Sequence, residues 1–233
     1  MKIIKDEKKI KRNGSIGLWI SMVAFLILGG GLWFTTTNPT NPSMPLYAFG
    51  SFIVGFILMQ VGTYMTNRWG GKPSPDERLD AGLKGLSGDF SLYHFQSPAS
   101  HLLVGPAGVW TIFLYRQRGI VKYEKNRWKV SSGGFLQGYM SIFGQEGIGR
   151  PDLEAEGEVA AIQKQLAKSL GEGEVPSVNA VLVFTNDDLD IQAEGAPLIA
   201  VKLKGLKDFI RQKAKETKLS TTAIAKINTA LGQ

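Results

Sequence analysis

The chain has 233 residues, a formal net charge of +7 and 43% hydrophobic side chains. It has no cysteine, which excludes disulfides, thiolate catalysis and zinc sites built on cysteine. His94 and His101 are the only imidazoles, too few for a histidine-rich metal centre.

Residues 1–13 read as a basic tail, with six basic and two acidic side chains between Met1 and Arg12. From Asn13 to Asn67 there is no Lys, Arg, Asp or Glu. Residues 14–67 hold two apolar runs, Ile16–Phe34 and Leu46–Thr66. Each is about 20 residues, the length at which a helix crosses roughly 30 Å of hydrocarbon. A helix satisfies its own backbone there, as an isolated extended segment does not. The link Thr35–Pro45 is polar and rich in proline, so it separates two helices. A signal peptide has a shorter apolar centre and no second full-length span after it. A buried soluble hairpin of this length needs a larger surrounding core than the remaining chain supplies. The expectation is a transmembrane helical hairpin.

Basic residues flank the hairpin on both sides, with Arg68 and Lys72 after it, and its central link is uncharged. The positive-inside rule then puts both termini in the cytoplasm and the link outside, in a multi-pass cell-membrane protein. Gly29, Gly30, Gly31, Gly50, Ser51, Gly55 and Gly62 are expected at the helix–helix contact first and at an oligomer surface second.

Residues 75–233 read as a mixed α/β domain. A helix is expected over Asp76–Leu86, capped by Ser74 or Asp76, with Leu79, Leu83 and Leu86 on one face. Strands are expected at Phe90–Phe95, His101–Pro106 and Val109–Tyr115. A hairpin at Gly119–Glu124 and Arg127–Ser131 completes a meander of about five strands. The stretch Ser131–Arg150 has no period and is long for a loop, either a flap for the membrane or a partner, or a segment tucked onto the sheet. A helix follows over Pro151–Leu170, with proline and acids in its first turn. Val178–Phe184 reads as a strand buried on both faces, and Pro197–Val201 as another strand. Leu206–Lys215 and Thr221–Leu231 read as closing helices.

Several of these segments resemble the nuclease-related domain (NERD) family, whose fold is restriction-endonuclease-like. The resemblance rests on Asp76-Glu77-Arg78, on Ser100-His101 with the strand up to Ile112 through Gly105-Pro106-Ala107-Gly108-Val109, and on the helix start at Pro151. Asn179–Asn186 and Pro197–Val201 match its late strands. The resemblance implies a metal site of an Asp before the histidine and Glu-x-Lys on the next strand. Side chains two apart on a strand share a face, so these groups converge on Mg²⁺. Here those positions are Ser100, Phe113 and Tyr115, Glu154 stands where the family often has glutamine, and Glu77 is retained. The expectation is a degenerate domain with no catalytic residue, no metal ligand set and no cofactor. Mg²⁺ enters only under the alternative of a nuclease with a displaced site.

Arg116, Arg118, Lys122, Lys125, Arg127 and Lys129 cluster around one hairpin, and Lys202–Lys218 carries a second basic group. These groups suit nucleic acid, with Tyr123 or Trp128 stacking on bases, or anionic lipid head groups, or an ordinary solvated surface. His94 and His101 fall on adjacent strands, as a functional pair or as satisfied structural residues. Three functions follow: a membrane-anchored inactive nuclease-like domain that binds or scaffolds, a membrane-tethered metal-dependent nuclease, and an accessory subunit that recognises a protein partner.

Overall fold

The computed structural model describes residues 1–131, 148–171, 173 and 175–232. The stretch containing Phe135, Tyr139, Met140, Ile142 and Phe143, expected as a flap or a tucked loop, lies outside the described residues. The chain divides into two compact units. One is Asp6–Glu77, and the other joins Met1–Lys5 to Arg78–Gln233.

The first unit is a pair of helices, α1 (Glu7–Thr37) and α2 (Met44–Trp69). Both outrun their apolar stretches. Asp6 starts α1 by accepting from the Lys9 N–H at 2.9 Å, so Glu7–Arg12 are helical rather than a free tail. At the other end the Thr35, Thr36 and Thr37 hydroxyls return to the carbonyls of Gly31 and Trp33 at 2.7–3.0 Å. Those bonds keep the threonines in α1 and shorten the expected Thr35–Pro45 link.

Buried Ile10, Gly17 and Ala24 recur every seven residues on α1, as do Gly55 and Gly62 on α2. This is the period of a helix–helix seam. A Cβ at Gly17 would lie 2.9 Å from the Thr66 backbone nitrogen, and one at Gly62 would lie 2.8 Å from that of Ser21. Gly55 faces Ala24 and Leu28, and Gly31 faces Ser51. Small residues therefore let the two backbones approach closely. Gly29, Gly30 and Gly50 meet nothing and face outward. Many of the large apolar side chains point away from the seam: Leu26 is 73% exposed and Leu46 72%. Two helices of this length and apolarity are able to cross a membrane.

The second unit is a three-layer α/β domain. Its main sheet has the order β1 (Lys2–Lys5), β2 (Ser91–His94), β3 (His101–Gly105), β4 (Gly108–Tyr115), β7 (Val178–Phe184), β9 (Ile199–Lys202). The meander β2–β3–β4 is antiparallel, and β1–β2, β4–β7 and β7–β9 are parallel. Gly108, at φ +96°, makes the tight turn into β4. Alternation along the strands splits the core. Leu92, Leu103, Trp110, Ile112, Val181 and Val183 pack with α3 (Pro75–Gly82) and α5 (Leu203–Thr217), through Leu79, Leu83, Leu206 and Ile210. Tyr93, Leu102, Val104 and Val109 pack with α4 (Pro151–Leu170) and α6 (Thr221–Ala230), through Ile162, Leu166, Ile224 and Ile227.

Three expectations need correction. The N-terminal residues are not wholly a tail, because Lys2–Lys5 is an edge strand whose register runs from Lys2 opposite Ser91 to Lys5 opposite His94. The five-strand meander is not continuous either. β7 occupies the free edge of β4, so β5 (Ile120–Glu124) and β6 (Arg127–Ser131) form a separate sheet of order β6–β5–β8. The third strand, β8 (Asp190–Gln192), was not expected from the sequence.

The seam makes a direct prediction. Gly62→Val forces a side chain onto the Ser21 backbone and should destabilise the helix pair by about 1–3 kcal/mol. Gly50→Val, facing open space, should leave it within about 0.5 kcal/mol. Thermal unfolding of the full chain in detergent micelles distinguishes the two.

Candidate functional site

The positions that the family resemblance singles out come together at the carboxyl end of β4, with one exception. Phe113 and Tyr115 lie two apart on that strand and share a face. Phe113 is buried beside Ala155 of α4 and Leu182 of β7. Tyr115 stacks on Phe184 with ring centroids 5.6 Å apart. Its hydroxyl donates to Glu154 Oε2 at 3.4 Å. Burial, then the charge of Glu154, push the Tyr115 hydroxyl above its usual pKa, so it stays neutral. Ser100, just before β3, donates from Oγ to Glu158 Oε1 at 3.3 Å, one helical turn beyond Glu154. Glu77 is the exception. Its carboxylate accepts from the Ser74 N–H at 2.8 Å, and the Ser74 hydroxyl lies 3.5 Å from the Glu77 N–H. This is a capping box that starts α3.

The face that would carry Glu and Lys in a metal site is therefore filled by two aromatic rings and closed by hydroxyl–carboxylate bonds. Among the described residues, no three of His, Asp and Glu are grouped so as to hold a metal ion. The arrangement offers hydrogen bonds and a packed apolar floor.

The basic hairpin has a different character. Lys125 and Asn126, at φ +51° and +58°, form its two-residue turn. The register pairs Lys122 with Lys129, Tyr123 with Trp128 and Glu124 with Arg127. Alternation puts Lys122, Glu124, Arg127 and Lys129 on the outer face and turns Val121, Tyr123 and Trp128 inward. Trp128 is 5% exposed, so it is core and not a platform for a stacked base. Lys129 reaches Glu124 at 3.8 Å. Arg116, Arg118, Lys122, Lys125 and Arg127 have no acidic partner among the described residues. Desolvation and the like charge of Arg78 hold the Arg116 guanidinium below its usual pKa.

The second basic group is largely committed within the fold. Lys207 and Arg211 donate to the carbonyls of Lys84 and Gly85 at 3.4 and 3.2 Å. Lys202 donates to the Asp187 carbonyl at 2.9 Å, and Lys204 pairs with the Asp187 carboxylate at 3.6 Å. Lys213 pairs with Glu216 at 2.7 Å. Among the described residues, the cations without an acidic partner around β5 and β6 are therefore Arg116, Arg118, Lys122, Lys125 and Arg127.

The two histidines meet as neighbours across β2 and β3, with their Nδ1 atoms 2.7 Å apart. His94 Nε2 lies 3.0 Å from Asp80 Oδ1, and Asp80 Oδ2 accepts from Lys5 Nζ at 2.6 Å, contacts that the sequence did not indicate. Lys5 lay in the supposed tail, and Asp80 was one polar residue among several on a short helix. Comparisons with protein families, curated proteins and solved structures find no match to this chain.

The filled face predicts an asymmetric response. Phe113→Ala should cost about 3–5 kcal/mol of stability. Tyr115→Phe, which removes one long hydrogen bond, should cost no more than about 1 kcal/mol. Thermal or denaturant unfolding of the full chain in micelles checks both.

Proposed function

We propose that the chain is a two-pass membrane protein whose nuclease-related α/β domain has lost metal chemistry and serves as a cytoplasmic binding domain for phosphate polyanions. The observation that carries the reading is the pairing of Lys2–Lys5 with Ser91–His94 on the two sides of the helical insertion. A sheet whose strands flank two spanning helices assembles only if both helices return the chain to one side. An even number of spans meets that condition. The six basic side chains near Met1–Arg12, with Arg68 and Lys72, favour the cytoplasmic side.

The nuclease-related, restriction-endonuclease-like assignment is supported by the convergence of Ser100, Phe113, Tyr115 and Glu154 around β4 and α4. Loss of catalysis is supported by what those residues are, since rings and hydroxyls replace the carboxylates and lysine that would bind Mg²⁺ and activate water. Binding is supported by the five cations of the hairpin region that have no acidic partner among the described residues. With Trp128 buried, the hairpin offers charge and no exposed stacking pair, which suits phosphate oxygens rather than base readout. Nucleic acid and anionic lipid head groups present that same chemistry.

The full chain in nanodiscs of neutral lipid should bind DNA or RNA with a steep salt dependence, or else bind phosphatidylserine vesicles in competition with salt. In the nucleic-acid case, converting Lys122, Lys125 and Arg127 to glutamine should flatten the log–log salt slope by about 2–3. No Mg²⁺- or Mn²⁺-dependent cleavage should accompany binding. Cleavage that disappears in Glu154→Gln would overturn the loss of catalysis, and indifference to both polyanions at low salt would overturn the binding role.

The topology has its own test in this cysteine-free chain. A cysteine at Ser43 should react in intact cells with a membrane-impermeant thiol reagent, and one at Ser169 should react only after lysis. The reverse pattern would contradict the proposed orientation.

A further inference from the structure

The seam with α2 occupies one side of α1, at Ile10, Gly17 and Ala24. At 3.6 residues per turn, the other side carries Lys8, Arg12, Ile16, Trp19, Val23 and Leu26. All six are exposed, Trp19 to 65%. One stripe therefore runs from two cations, through Ile16 and Trp19, to Val23 and Leu26. That is the order of layers met on passing from lipid phosphate through the interface into hydrocarbon.

The depths agree with this order. The apolar run begins at Ile16, and Arg12 stands four residues, about 6 Å, beyond it on the polar side. Lys8 is about 6 Å further out. The headgroup layer on each side of the hydrocarbon is about 5–8 Å thick. Arg12 thus stands within that layer, and Lys8 is a side chain's length from it.

Neighbouring acids are engaged elsewhere. Asp6 accepts from the Lys9 N–H at the start of α1, and Glu7 pairs with Lys11 at 3.3 Å. Lys8 and Arg12 have no acidic partner among the described residues. On α2 the corresponding cation is differently placed. Arg68 Nη1 donates to the Tyr64 hydroxyl at 2.8 Å, and the guanidinium carbon lies 5.2 Å from the centre of the Trp69 ring. Arg68 is held by its own helix, whereas Lys8 and Arg12 project from α1.

We propose that Lys8 and Arg12 form a seat for the phosphate of an anionic phospholipid whose acyl chains lie along Trp19, Val23 and Leu26. The seat is separate from the polyanion-binding β5–β6 hairpin, and it rests on the membrane-spanning reading of α1 and α2. Two features of the stripe select this ligand. A nucleic acid would meet the cations and leave the apolar half uncovered, whereas a phospholipid meets both halves. No carboxylate lies on the stripe to pair with a choline or an ethanolamine, so a lipid with net negative charge balances the two cations better than a zwitterionic one.

Native mass spectrometry tests the seat on the full chain, in micelles equilibrated with equal amounts of phosphatidylglycerol and phosphatidylcholine. The wild type should retain phosphatidylglycerol in excess. Replacing both Lys8 and Arg12 by glutamine should lower that excess about fivefold for each charge removed. The charge-retaining pair Lys8→Arg and Arg12→Lys should keep it, as should conversion of Lys122, Lys125 and Arg127 to glutamine. Equal retention of the two lipids by the wild type would overturn the proposal. So would an undiminished preference in the double glutamine variant, or a loss of preference in the β5–β6 variant. Micelles have no sidedness, so these results are independent of the orientation tested by labelling at Ser43 and Ser169. Alkaline carbonate extraction of native membranes tests the spanning reading separately. A chain released by carbonate would overturn that reading and the seat together, whereas a retained chain without lipid preference would overturn the seat alone.

Discussion

The structure depends on a constraint of chain connectivity. Four residues at the N-terminus, Lys2–Lys5, pair in parallel with Ser91–His94, and everything from Asp6 to Glu77 is inserted between these two strands. A parallel neighbour needs a crossover connection, usually a single helix packed on the sheet. Here the crossover is instead a separate unit of two long apolar helices. Such an insertion leaves the sheet intact only if its two ends meet again, and several contacts secure that. Within the helix pair, Gly14 near the start of α1 lies against the backbone of Trp69 at the end of α2. Within the α/β domain, Lys5 and Asp80 are joined by a 2.6 Å ion pair. A fragment beginning after the hairpin would lack β1 and would expose the edge of β2, a liability for any sheet.

In the α/β domain, the carboxyl end of β4 carries a packed core where Phe113 and Tyr115 share a face. The carboxyl end of β4 lies beneath the first turns of α4, and side chains two apart on the strand point at that helix. With a carboxylate and a lysine there, the pocket would need water and a cation to balance its charge. With Phe113 and Tyr115 there, the same volume joins the cluster of Val121, Trp128, Leu182, Phe184 and Leu189. Those residues also support the small sheet, so the rings of Phe113 and Tyr115 help hold the basic hairpin.

The legible parts of the sequence were those with a strong period or a strong exclusion. The buried strand Val178–Phe184 and the helix opened by Pro151 emerge at their expected bounds, and the two apolar runs each lie inside a longer helix. β1 was not legible because Lys-Ile-Ile-Lys is too short for a period to declare itself, and its partner strand lies beyond the whole hairpin. β8 is three residues and depends entirely on its neighbour Ile120–Lys122. Trp128 was readable and was misjudged: Arg127 and Lys129 flank it on the opposite face, and simple alternation turns its ring inward. The histidine pair could be placed on adjacent strands, whereas Asp80 and Lys5 enter from a helix and from a distant strand, through tertiary contacts that no local pattern encodes. Glu77 reads as a retained carboxylate in the motif, yet Ser74 three residues earlier already signals a capping box.

The central claim is that the residues before the helical insertion and those after it belong to one sheet, and cross-linking in native membranes addresses it most directly. Lys2 and Ser91 are opposite each other in the register of β1 and β2, and the chain has no cysteine of its own. With cysteines at these two positions, mild oxidation of isolated membranes should close an intramolecular disulfide that shifts mobility on a non-reducing gel, and neither single variant should show the shift. Two thiols that both react with maleimide but never join would contradict the account.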